Sequence, residues 1–155
     1  MSQHKSIRLA IELATRQRDE AARAVAQMNR NLGFARDQMA QLDGYAADTD
    51  ARLIGARDGV LSAELIRHHY QFMDRLQQAI SLQSGVIQDA LEKVGQASKV
   101  LLQAEFRLAG LSHVLDARQE SLSKSRKRRE QRVTDEFAGM AYFRKSRNAE
   151  HGGSI

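Results

Sequence analysis

The sequence predicts an all-α protein: a long antiparallel two-helix coiled-coil hairpin whose C-terminal helix overhangs its partner. Three observations carry the prediction. The 155 residues contain no Pro, where about 5% is usual, and such a chain can run in long uninterrupted helices. Aromatics are 5% of the residues and β-branched residues are few, which disfavours sheet. Two apolar registers advance in alternating steps of three and four, the spacing by which one helix packs on another.

The first register reads Ile7, Ile11, Ala14, Arg18, Ala21, Val25, Met28, Leu32, Ala35, Met39, Leu42, Ala46. Leu9 and Leu13 form a neighbouring stripe, so the first turns are less regular. This predicts helix 1 over about residues 3–54. The pattern then lapses. Gly55 and Gly59 stand four apart, and Ser62 is a suitable N-cap with Glu64 in the turn that follows. A turn is predicted at about 55–62. The second register runs from Ile66, His69 and Met73 through Leu76, Ile80 and Gln83 to Leu115, Arg118 and Leu122. Fourteen of its seventeen positions are apolar, which predicts helix 2 over about 63–145. Residues 1–147 are then one coiled-coil hairpin, and 148–155 are expected as a flexible tail.

Two seams joined by a short connection can bury each other only by folding antiparallel. With the turn centred near Gly59, facing residues have numbers summing to about 118. Leu42 then meets Leu76, and Leu32 lies near Val86 and Ile87. Helix 2, roughly 120 Å long at 1.5 Å per residue, outruns its partner by roughly 30 residues, and Arg118 falls where the partner ends. Such a hairpin encloses no pocket, which removes most enzyme classes.

The chain has no Cys, so disulfide scaffolds, thiolate metal sites and cysteine nucleophiles are excluded. No apolar run reaches the 18 or so residues of a membrane span. Met1 to Arg8 lead into no apolar h-region, so no secretory signal is expected. The five histidines, His4, His68, His69, His113 and His151, make no ligand set. His68 and His69 point roughly 100° apart on a helix, and His69 reads as a polar seam residue that helps fix register. No Gly-rich phosphate loop, HExxH motif or nucleophile elbow occurs. Gly85, Gly95 and Gly110, inside helix 2, each cost about 1 kcal/mol relative to Ala; close approach and bending are the two explanations left open.

The net charge of +5 is concentrated. Residues 112–147 hold ten Lys or Arg against five Asp or Glu, which accounts for all of it. The densest part, Lys124 to Arg132, lies on the predicted overhang. A solvated helix face, a phosphate-binding surface for nucleic acid or anionic lipid, and a contact with an acidic protein surface all fit it. Phe137, Tyr142 and Phe143 follow the run without interleaving, so no base-stacking platform is formed. Near the turn, Gln38, Tyr45, Phe72 and Ala79 each sit one place before a seam position. By the facing rule Tyr45 faces Phe72 and Gln38 faces Ala79. With Leu42 and Leu76 they form one patch across both helices. It is either a widened seam or a docking surface.

The layout resembles the flagellar export protein FliJ family over nearly the whole chain. The pieces are Asp19-Glu-Ala-Ala22 with Gln27-Met28; Gln38, Leu42 and Tyr45 followed by His69-Tyr70-Gln71-Phe72, Leu76 and Ala79-Ile80; and Arg128-Arg-Glu-Gln-Arg132 leading to Asp135-Glu136-Phe137-Ala138. The resemblance implies a coiled coil similar to that of the gamma subunit in rotary ATP synthases. It implies a non-enzymatic stalk and interaction component of flagellar type III protein export. It also implies three partners: the hexameric export ATPase, the cytoplasmic domain of the large export-gate membrane protein, and export chaperones. The family's gate-binding pattern falls on Gln38, Leu42, Tyr45, Phe72, Leu76 and Ala79. Two further positions depart from it, with Thr49 in place of Tyr and Gln83 in place of His.

Arg126, Lys127, Arg128, Arg129 and Arg132 are expected at the ATPase ring. No catalytic, cofactor-binding or metal-binding residue and no nucleic-acid partner is expected. The expected location is cytoplasmic, at the inner face of the inner membrane at the flagellar base and held there through partners. The alternative is a basic coiled coil that binds nucleic acid or an anionic membrane surface.

Overall fold

The structure is a computed structural model that describes residues 4–55 and 62–152. Two helices account for nearly all of them: α1, Lys5–Gly55, and α2, Ala63–Gly152. No strand occurs among the described residues. Of the turn expected at about 55–62, residues 56–61 lie outside the described residues; Gly55 is the last residue of α1 and Ser62 precedes α2. Ser62 caps α2: its hydroxyl oxygen accepts from the Leu65 N–H at 3.1 Å, and its carbonyl accepts from the Ile66 N–H at 3.2 Å. The first satisfies a donor that the start of a helix leaves free, and the second is the first main-chain bond of the helix. Glu64 lies in that turn, where a carboxylate complements the helix dipole.

α2 ends later than the spacing suggests. Residues 148–152, expected as tail, continue the helix to Gly152. Asn148, Ala149 and Glu150 include no Pro, and Ala and Glu are strong helix formers, so nothing local stops the helix before the glycine.

Glu12–Leu108 is one compact unit. Within it, rising numbers on α1 meet falling numbers on α2. Gln83 bonds to Ala35, and His69 stands beside Asp50. The helices are therefore antiparallel. The core is thin: Ala14, Ala21, Leu32, Ala35 and Leu76 are the buried residues. Three of these five are alanine. Small seam residues let two helices approach closely, and at Ala35 this exposes the main-chain carbonyl to a side chain from α2. The rest of the seam, from Val25, Met28 and Met39 to Ile87, Val94 and Leu101, is half-buried.

Residues 4–11 and 109–152 belong to the second unit. Ile7 and Ile11 on α1, and Leu111 and Leu115 on α2, are half-buried there. His4 shares a shallow groove with Arg118, Ser121 and Leu122. From Asp116 to Gly152 every residue is exposed, so the apolar seam loses its cover at Arg118.

A Cβ added at Gly85, Gly95 or Gly110 would meet nothing within 4 Å, which removes close approach as the reason for these glycines. None has positive φ. Gly95→Ala should therefore stabilise the protein by about 1 kcal/mol, read as a rise in midpoint by urea denaturation. Leu101→Asp should lower stability by roughly 2–5 kcal/mol, because it puts an unpaired carboxylate into the seam; thermal melting by circular dichroism measures it.

Candidate functional site

The patch near the end of the Glu12–Leu108 unit is built by register. Residues one place before a seam position lie at its edge, half in and half out. Leu76 is buried at 8% exposure and Leu42 is half-buried, so these two belong to the seam. Tyr45 and Phe72 are 58% and 48% exposed. They form no ring pair with each other among the described residues, so both rings remain available to a partner. Ala79 is half-buried and Gln38 exposed. The structure ties Gln38 to α2 through Gln83, whose Nε2 donates to the Gln38 Oε1 at 3.2 Å and to the Ala35 carbonyl at 2.8 Å. Thr49 is occupied locally: its hydroxyl donates to the Tyr45 carbonyl at 2.7 Å, one turn back on the same helix.

The same edge continues along the hairpin. A shallow groove beside the patch is lined by Met28, Asn31, Ala35, Val86, Asp89, Ala90 and Lys93. In the spacing, Asn31 and Val86 are the next edge positions after Gln38 and Ala79. The sequence reading stopped at Gln38 and Ala79, although the seven-residue step would have found the continuation.

The second cluster is the basic run of α2. Arg126, Lys127, Arg128, Arg129 and Arg132 are all exposed, and none is in an ion pair among the described residues. Lys124 differs, pairing with Glu120 at 3.4 Å. Nearby helix surface is satisfied within itself: Thr134 donates to the Glu130 carbonyl and Gln131 to Asp135. Beyond the run, Val133, Phe137 and Met140 are exposed, Phe137 at 72%. Their spacing of four and three puts them on one stripe of the helix. In the sequence Phe137 stands out only by its place after the basic run and in the family-like Asp135-Glu136-Phe137 segment, and the stripe with Val133 and Met140 is the added feature.

Among the described residues no group of three or more His, Asp or Glu is placed to hold a metal ion. No described helix is long and apolar enough to cross a membrane.

The sequence model of the family described as Flagellar FliJ protein matches residues 4–147. The chain belongs to this family. A curated flagellar FliJ protein from Salmonella typhi is 27% identical over 146 residues, covering 94% of this chain and 99% of that one. No solved structure matches. FliJ membership carries a role in flagellum protein export and motility, and it covers both the patch and the basic run.

If the FliJ patch is a surface and not core, truncating its outer rings should leave the fold intact. Tyr45→Ala and Phe72→Ala should each shift the melting temperature by no more than a surface substitution does, about 0.5 kcal/mol in stability. Leu76→Ala should cost about 2–4 kcal/mol. Melting the three variants side by side checks the division.

Proposed function

We propose that this FliJ-family chain is a non-enzymatic stalk that couples the flagellar export ATPase ring to the export gate and export chaperones. The observation that carries the reading is that each family-implied contact set presents exposed groups, although Leu42 and Leu76 of the first set lie in the seam. Tyr45 and Phe72 stay about half exposed above a packed seam, and five cations of the run have no carboxylate partner among the described residues. Aromatic groups fixed on a helix lose little conformational entropy on binding and serve well as interface anchors. Unpaired cations attract an acidic protein surface and speed its association.

In this reading the gate's cytoplasmic domain docks on Gln38, Leu42, Tyr45, Phe72, Leu76 and Ala79. The ATPase ring receives Arg126, Lys127, Arg128, Arg129 and Arg132, with Val133, Phe137 and Met140 as the apolar part of the same contact. ATP chemistry belongs to the ring. The protein sits in the cytoplasm and reaches the inner membrane only through its partners. A phosphate-binding role would make association fall steeply with salt; a gate contact centred on aromatic rings would not. Recovery of the hexameric ATPase from a cytoplasmic pull-down supports the reading, and recovery of nucleic acid alone overturns it.

The two surfaces should separate by mutation. Tyr45→Ala or Phe72→Ala should weaken gate binding by roughly 1–3 kcal/mol and leave ATPase binding intact. Reversing Arg128 and Arg129 to Glu should weaken ATPase binding and its stimulation while gate binding and helicity persist, because Glu is itself a good helix former. Titration calorimetry against each purified partner measures both. Loss of both partners by either variant would mean that the surfaces are not distinct.

A further inference from the structure

Gln83 occupies a seam position that is otherwise apolar on either side, between Ile80 and Ile87. Its side-chain nitrogen donates to the Ala35 carbonyl at 2.8 Å and to the Gln38 Oε1 at 3.2 Å. The first bond decides the second. A main-chain carbonyl can only accept, so the end of the Gln83 amide that faces α1 is its nitrogen. That nitrogen has a second hydrogen, and Gln38 answers it with its oxygen. With its oxygen turned toward α2, Gln38 is left with Nε2 as its free end. Gln38 is exposed, and this nitrogen has no partner among the described residues.

An unrestrained Gln offers a partner either its oxygen or its nitrogen, since the two ends exchange by rotation. Here the rotation is held. We propose that Gln83 is a positioning residue that fixes Gln38 as a hydrogen-bond donor, and that the partner docking on Tyr45 and Phe72 meets it with an acceptor oxygen. This rests on reading the patch as the gate-docking surface and adds the sense of one of its hydrogen bonds. The seam geometry explains why the device works at this level of the hairpin. Ala35 has no side chain long enough to cover its own carbonyl, so Gln83 can reach it.

The test uses the full chain, the gate's cytoplasmic domain as ligand, and the melting temperature of every variant. Gln83→Glu carries no N–H. It withdraws the donor from Ala35 and draws the Gln38 nitrogen inward, so that Gln38 shows an oxygen outward. Affinity should fall about fivefold, the worth of one neutral hydrogen bond of about 1 kcal/mol. Gln83→Leu guards against a variant that merely unfolds. Leucine suits the seam, so its melting temperature should rise while its affinity falls because Gln38 is released. A purely structural role would move the two together. In a Gln38→Ala background neither change at Gln83 should have a further effect on affinity.

Wild-type affinity in both Gln83 variants, with Tyr45→Ala impaired, overturns the inference and leaves the docking reading standing. Equal losses with Gln38 present and absent also overturn it, since Gln83 would then act without Gln38. Normal binding by Tyr45→Ala removes the docking reading and this inference with it.

Discussion

Two helices that meet along one stripe have no interior except that stripe, and here its fully buried part is mostly alanine. Ala14, Ala21 and Ala35, with Leu32 and Leu76, are the only buried residues among those described. Alanine contributes little apolar area, so cohesion is spread along many half-buried positions. A repetitive seam of this kind holds two helices together without fixing which heptad faces which. The polar seam residues supply what the apolar ones lack. If the helices slipped by one heptad, Gln83 would face Met28 or Leu42 instead of Ala35. Both have long side chains that cover the main chain Gln83 needs, and its half-buried nitrogen would lose that bond, worth about 1 kcal/mol. His69 beside Asp50, at 3.8 Å, marks the same pairing a few turns away.

The rest of the surface follows from that economy. With one stripe packed, most of each helix faces solvent, so everything a partner could read is written on the outside of the same two helices. The apolar groups there are of two kinds. Tyr45 and Phe72 border the seam and are steadied by it. Val133, Phe137 and Met140 lie on a stretch of α2 where every residue is exposed. Nothing covers the second set among the described residues, and the cations beside it are unpaired. An isolated exposed apolar side chain is ordinary, but an aligned set among free charges is the pattern of a surface meant to be covered.

Spacing made much of this legible. The step of three and four identified both helices. A turn centred near Gly59 gave the register that pairs Ala35 with Gln83, and Ser62 was readable as a cap because it precedes an apolar-periodic run. What spacing could not give is atomic: it placed Gln83 on the seam but not its amide nitrogen on a carbonyl. It counted three glycines as costs without showing that the space beside them is open. The apolar register ends at Leu122, so spacing gave no sharp end for α2, which is expected near residue 145 and runs to Gly152. At the patch, spacing and the facing rule picked out six residues, and the family's pattern falls on the same six. The two that depart, Thr49 and Gln83, turn out to be engaged inside the protein, Thr49 with its own helix and Gln83 with the opposite one.

That engagement links docking to pairing. In the proposed docking, a partner seated on Tyr45, Phe72 and Gln38 would touch both helices at once, and Gln38 would present its nitrogen only while Gln83 lies opposite Ala35. Such a partner binds the paired state and not the slipped or open one. By mass action it stabilises the pairing it recognises. The reverse follows from the same linkage: any change that loosens the seam at Ala35 and Gln83 lowers affinity on the outer surface without touching a contact residue. On that proposal the patch would report the register of the hairpin. This is a reason for it to lie beside the seam, since a position farther round the helix would be equally exposed but indifferent to how the helices are paired.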